Sequence, residues 1–286
     1  MPVVTVLHDS KERSTVQCEG FIHNFDDRAG LWTIWSIANM ALTVSTSNDI
    51  SLVRDGMQVK DILIFQKRQI MKVNPEVYYY GSRPGFRFHV TYQVETGEPG
   101  STSYIWTLSL KDASSGTVLV ERAVKGVCVD RKTRKPVPVP ESFREKHFGK
   151  RKLHNLSDEF TKKSGVMEIP DNCYKWLTRI RYSDLDRNMH TNQSVYIKLC
   201  IDGATSAALN RKLKHFNADM CFYPAELLDI TFYDECVPED DLIVNLWQDS
   251  TDISLLNFVI TKSSKPITYA NCKFSLQKIS PEKSNL

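Results

Sequence analysis

Twice, this chain sets a lone helix that is apolar nearly all round before four strand-like runs. The first helical pattern covers residues 28 to 43. Leu31, Trp32, Ile34, Trp35, Ile37, Ala38, Ala41 and Leu42 take most of its circumference, and Thr33, Ser36 and Asn39 leave a narrow polar stripe. A helix of this kind must be covered on almost every side. The second pattern covers 192 to 209, with Val195, Tyr196, Ile197, Leu199, Cys200, Ile201, Ala204, Ala207 and Ala208 against a stripe of Lys198, Asp202 and Thr205. Strand-like runs follow at 62–73, 86–94, 103–110 and 117–129, and again at 226–236, 241–247, 254–261 and 267–277, with turn residues between them. Asp27-Arg28 precedes the first helix and Asp186-Arg187 the second. The pattern implies an internal duplication of roughly 150 residues; two unrelated α+β domains are the alternative. Either way the fold class is α+β, because an antiparallel sheet has to wrap each helix.

The expected units are 1–140 and 166–286, joined by a basic linker at 141–165. The broader stretch 131–163 holds 11 basic and 4 acidic residues and the alternating Pro136, Pro138 and Pro140. Such a stretch is either a solvated connection or a patch that meets phosphates or an acidic carrier protein. The whole chain of 286 residues has 37 basic and 34 acidic side chains, a net charge of +3, which does not describe a nucleic-acid binder. No apolar run reaches the roughly 18 residues of a membrane span, and the N-terminus resembles neither a secretory leader nor a transit segment. Seven cysteines without CxxC pairing fit a reducing compartment rather than a disulfide framework or a zinc site. The expectation is therefore a cytoplasmic protein that needs no metal or cofactor. The C-terminal Lys283-Ser284-Asn285-Leu286 is a loose variant of a peroxisomal address, which keeps that location as the alternative.

Chemistry concentrates just before the second helix. Residues 184 to 192 hold Asp184, Asp186, Asn188, His190 and Asn192. Asn192 is a good N-cap, so the segment sits at the positive end of a helix dipole. Asp186, Asn188 and His190 alternate, and in an extended stretch alternate side chains share a face. Further on, Glu235 ends the apolar run 227–233 and is followed by Cys236. A carboxylate at the end of a buried strand is costly unless paired or used. On spacing alone, a hydrogen-bonded helix cap and a solvated glutamate account for these residues equally well.

The run Tyr182-Ser183-Asp184-Leu185-Asp186-Arg187-Asn188-Met189-His190-Thr191-Asn192-Gln193-Ser194-Val195-Tyr196-Ile197 resembles the DxDxNxHxNNxxY signature of the acyl-ACP thioesterases, and Tyr233-Asp234-Glu235-Cys236 resembles their second motif. Val129-Asp130 through Pro140 is similar to the end of that family's first repeat. Gln193 departs from the pattern, where a second Asn is usual. The resemblance implies a tandem hotdog in which each unit wraps an antiparallel sheet around a central helix. The first unit would be non-catalytic and shape an acyl pocket, with Trp32, Trp35 and Met40 as candidate lining. The second would be catalytic, with Asp186, Asn188, His190 and Glu235 as the working set and Cys236 as a further contributor. The implied activity is hydrolysis of a fatty acyl thioester, carried on acyl carrier protein or coenzyme A, to a free acid and a thiol.

Such a reaction suits these residue types. A thiolate is a good leaving group, with a conjugate-acid pKa of roughly 8.5 if it behaves like cysteine. The site then needs a carboxylate to activate water and donors for the oxyanion. Glu235 is assigned as base, Asn188 and His190 as donors and Asp186 as their orienting group; Asp186 as base or nucleophile is the alternative. A Cys236–His190–Asn188 nucleophilic triad competes, although the neighbouring Glu235 would raise the thiol pKa. A hotdog hydratase or dehydratase and a non-catalytic acyl-binding module are the competing functions. The expected partners are the acyl thioester and, through 131–163, a carrier protein, with the chain a monomer or homodimer.

Overall fold

A computed structural model describes residues 3–9, 13–19, 31–45, 61–80, 87–95, 101–147, 167–186 and 189–279. Along the chain lie β1 (Val3–Asp9), β2 (Arg13–Glu19), α1 (Ile34–Ser45), β3 (Ile62–Val73), the single turn α2 (Val77–Tyr80), β4 (Arg87–Glu95), β5 (Ser103–Asp112), β6 (Val118–Asp130), α3 (Glu141–His147), β7 (Tyr174–Arg179), α4 (Gln193–Leu209), β8 (Ala225–Phe232), β9 (Asp241–Gln248), β10 (Leu255–Lys262) and β11 (Lys265–Phe274). The pairings between these strands are antiparallel. No helix among the described residues is long and apolar enough to cross a membrane.

Two compact units divide the chain. One comprises residues 1–22, 39–74 and 83–164, the other 23–38, 75–82 and 165–286. The second therefore takes in two short segments from the N-terminal half, including the start of α1.

In the first unit the strands run β1-β2-β4-β5-β6-β3. Ile70, Leu119, Ala123 and Val124 are fully buried. Gly126 is required on β6 by a close approach: a Cβ there would stand 2.5 Å from a ring carbon of Trp106. The buried Arg122 guanidinium donates to Gln69 Oε1 and to Gln66 Oε1, the latter at 3.2 Å, so this cation is met by amide oxygens within the sheet. Residues 141–147, expected as part of the linker, form α3. Its Phe143 lies 5.5 Å from the buried Tyr104 ring of β5, which gives the turn an apolar anchor. Residues 148–163 of the basic stretch lie outside the described residues.

In the second unit the strands run β8-β11-β10-β9-β7. Helix α4 buries ten of its 17 residues. It lies so close to the sheet at Gly203 that a Cβ would meet Leu246 Cδ2 and Val244 Cγ1 of β9 at 3.3 Å and Trp176 of β7 at 3.5 Å. Thr205 of α4 donates to Asp219 Oδ1, and Met220 N donates back to the Thr205 hydroxyl, fixing the short turn that leads into β8.

The two helix-then-four-strands runs stand as expected, with corrections. Helix α1 begins at Ile34, later than its apolar pattern suggests. Strand β8 stops at Phe232 rather than 236, because Tyr233 N and Asp234 N both turn to the carbonyl of Ile267. Strands β1, β2 and β7 were not expected from their patterns.

Candidate active site

Local hydrogen bonding decides the shape of the turn before α4. Residues 185 and 191 form an isolated antiparallel bridge. Asp186 N donates to His190 O at 2.8 Å, Met189 N to Asp186 O at 3.0 Å, and His190 N to Asp186 Oδ1 at 3.4 Å. Met189 takes the left-handed conformation, φ 62°. The segment is thus a tight hairpin turn, not the extended stretch expected from the alternation of Asp186, Asn188 and His190. Asp186 and His190 face each other as turn ends. Asn188 lies outside the described residues.

Asn192 caps α4 as its position suggests, accepting from Ser194 N at 2.9 Å, while its own N–H donates to Asp184 O. The turn is therefore tied to the first residues of the helix, at the positive end of its dipole.

Glu235 comes from the other side. Beyond the end of β8, Asp234 Oδ1 accepts from Glu235 N at 2.9 Å, and Lys265 Nζ holds Asp234 Oδ2 at 2.9 Å. The Lys265 hydrogen bond, followed by that from Glu235 N, holds the Asp234 carboxyl below the usual carboxylate range. The Glu235 carboxylate then reaches His190, with Oε2 3.1 Å from Nδ1. Both side chains are about one-third exposed, at 35% and 29%, while Nδ1 itself is buried at the contact.

The neighbouring Cys236 is fully buried. Burial pushes its thiol above the ordinary value. Its backbone is engaged at both ends: Thr191 Oγ1 donates to Cys236 O at 2.9 Å, with Thr191 N at 3.3 Å, and Cys236 N donates to Tyr196 Oη at 3.1 Å. A buried neutral thiol is a poor nucleophile. The geometry leaves Cys236 as a fixed backbone point beside Glu235, and the triad reading is not carried forward. Thr191 and Tyr196 were given no role in the sequence, although both stand in the run that carries the resemblance and Tyr196 closes its signature. The available signal was helical spacing: Tyr196 lies one turn beyond the Asn192 cap and faces back over the turn.

A small open recess, with a cavity volume of about 20 Å³, lies elsewhere in the same unit. Trp32, Trp35, Tyr78, Ile201 and Phe274 are among its lining residues. Two of the three residues expected to line an acyl pocket, Trp32 and Trp35, are thus on this wall, with partners from α4 and β11; the side chain of Met40 lies outside the described residues. Tyr78 is fastened there by its hydroxyl, which donates to Ala225 O at 2.8 Å. Ile201 stands nine residues beyond the α4 cap, roughly 13 Å along the helix axis at 1.5 Å per residue.

No family model and no curated protein matches the chain by sequence. Solved structures match its fold over nearly its whole length. A 12:0-ACP thioesterase from Umbellularia californica superposes with a TM-score of 0.69 at 14% identity, covering 93% of this chain and 98% of its own. An acyl-ACP thioesterase from Bacteroides thetaiotaomicron gives 0.66 at 14% identity, covering 92% and 98%. A Lactobacillus plantarum chain provisionally described as an oleoyl thioesterase gives 0.71 at 13% identity, covering 92% and 96%. The chain shares the fold of these proteins, an antiparallel α+β architecture with few helices.

Proposed function

We propose that this chain is a tandem hotdog thioesterase that hydrolyses fatty acyl thioesters, with acyl carrier protein or coenzyme A as the thiol. The observation that carries the reading is the meeting of Glu235 and His190 at 3.1 Å, partly exposed, beside the N-terminus of α4. A carboxylate paired with an imidazole suffices for water attack on a thioester. Glu235 takes a proton from water as the new C–O bond forms. His190 and Asn188 donate to the carbonyl oxygen as it becomes an oxyanion, with the α4 dipole favouring the same charge. Collapse breaks the C–S bond, and the thiolate leaves without a strong general acid. Asp186 acts through the turn, where its carboxylate accepts from His190 N.

The acyl chain is assigned to the apolar wall containing Trp32 and Trp35, whose recess has to widen to admit it, and the basic residues of 131–163 to the phosphates or acidic surface of the carrier. That assignment puts the acyl wall in the compact unit that also holds the reacting pair.

Thiol release from a panel of acyl-CoA and acyl-carrier substrates tests the reading, with wild type beside Glu235→Gln. Turnover that Glu235→Gln removes is the expected result. Negligible release from every substrate by folded wild-type protein would overturn it, and retained acyl affinity in that case would leave the binding-module alternative.

A further inference from the structure

Glu235 stands beyond the end of β8, and no regular strand pairing fixes where its carboxylate points. Besides Asp234 and Asp240 of the same loop, three side chains from elsewhere in the unit grip the backbone around it. Tyr196 Oη accepts from Cys236 N, and Thr191 Oγ1 donates to Cys236 O. Lys262 Nζ donates to Glu235 O at 3.0 Å and to Asp240 Oδ2 at 3.0 Å, and the same Asp240 oxygen accepts from Val237 N at 2.9 Å. The peptide groups flanking Glu235 are thereby tied to both ends of the site. Thr191 directly follows His190 and Tyr196 lies in the first turns of α4, so two of the three grips come from the segment that presents the imidazole. Lys262 comes from the end of β10 and closes the third side.

We infer that Tyr196, Thr191 and Lys262 are positioning residues that set the Glu235 carboxylate against the His190 imidazole by holding the 235–237 backbone, and that position 236 serves through its peptide group. The catalytic part of this inference rests on the hydrolase reading; the geometric part does not. The tyrosine is suited to the task because its ring is locked: it is 3% exposed and packs edge-on against Phe232, centroids 5.6 Å apart, so its hydroxyl has little freedom to follow a shifted loop. A misplacement of about 1 Å at a reacting group can cost about 100-fold in rate, so loosening such a grip should register in turnover before it registers in binding.

The test uses full-length protein and two readouts. The first is the His190 imidazole cross-peak in a proton–nitrogen or proton–carbon NMR spectrum, assigned with His190→Gln. Glu235→Gln defines its position when the carboxylate is gone. Tyr196→Phe, which keeps the ring, is expected to move the peak toward that position, as are Thr191→Val and Lys262→Met. Thr191→Ser, which restores a hydroxyl, should bring it back. Arg179→Gln, at the exposed pair with Asp241, should leave it in place. The second readout is thioester hydrolysis, where Tyr196→Phe should lower kcat by about 10- to 100-fold with KM within about twofold. A folded Tyr196→Phe protein whose His190 peak stays at the wild-type position overturns the inference; if that variant does not fold, Thr191→Val and Lys262→Met decide by the same measure. Absence of wild-type turnover would sink the hydrolase reading while the spectrum still decides whether the grip exists.

Discussion

His190 Nδ1 and Glu235 Oε2 stand 3.1 Å apart, joined across a turn and a strand end that are far apart in sequence. A pair this exposed contributes only about 0–1 kcal/mol to stability. Glu235→Gln and His190→Gln should therefore each leave the unfolding midpoint within about 1 kcal/mol of wild type. Thioester turnover should fall by about 100- to 1,000-fold in each. The double variant should fall little further than either single one, because groups acting as one unit are not additive. Denaturation curves beside kcat values check this; additive losses would mean the two act in separate steps.

Cys236 gives a sharper separation of mechanisms. Its thiol is buried and its pKa raised by desolvation. Cys236→Ser keeps the peptide group that Thr191 and Tyr196 hold, so turnover is expected to stay within about tenfold of wild type, against the far larger losses typical of removing a nucleophile. Iodoacetamide near neutral pH should label the half-buried Cys221 and leave Cys236 unmodified by mass spectrometry. Rapid inactivation with label on Cys236 would restore the nucleophilic triad.

Helix α4 and its Asn192 cap were legible because an apolar run, a capping residue and a polar segment before it all agree. The runs of β3 to β6 and β8 to β11 were legible for the same kind of reason, their alternating or apolar stretches being bounded by turn residues. Strands β1 and β2 carry polar residues such as His8, Ser14 and Gln17, and β7 is only six residues long, so periodicity gave them little signal. The site was legible in residue types and not in shape. Alternate spacing suggested an extended stretch at 186–190, whereas a left-handed Met189 closes it into a turn, a conformation uncommon for a residue with a Cβ. The chain end of β8 at Asp234, just before Glu235, is held by Lys265 and the Ile267 carbonyl, both of β11, a strand distant in sequence. The inclusion of 23–38 and 75–82 in the second compact unit likewise depends on contacts distant in sequence, such as Tyr78 with Ala225.

Gly203 lets the helix that carries the site lie close against its sheet. With a Cβ already 3.3 Å from Leu246 and Val244, Gly203→Val has to push α4 outward or force those side chains from their rotamers. Overpacking of this kind costs about 1–3 kcal/mol. The urea midpoint should drop accordingly. Turnover should drop with it, since moving α4 moves Tyr196 relative to Cys236; unchanged stability would mean the sheet accommodates the extra methyls.

The pocket predicts a change in preference rather than in rate. Trp32 is 3% exposed and forms part of a wall of Trp35, Tyr78 and Phe274. Trp32→Leu shortens that wall without introducing polarity. In an acyl-CoA panel the optimum should move to longer chains, by a ratio of about 10- to 100-fold in kcat/KM, the scale of one or more methylenes in an apolar pocket. A profile lowered equally at all lengths would place the acyl chain elsewhere.

Acid should weaken the second unit in a defined window. Asp249 accepts from Asp252 N, from the Thr251 hydroxyl and from Thr251 N, and these bonds, with that from Asp252 first, hold its carboxyl down to about 2. Its carboxyl in the unfolded chain titrates near 3.9. A folded-state pKa below the unfolded one means that the unfolded chain binds the proton more readily. The contribution is therefore complete above about pH 4 and is lost as pH falls toward 2. The melting temperature of wild type should decline through that interval. Asp249→Asn should start lower at pH 6 and decline less steeply between pH 4 and 2, because the amide accepts hydrogen bonds without titrating. Parallel slopes for the two proteins would show that the turn joining β9 to β10 does not contribute to acid sensitivity.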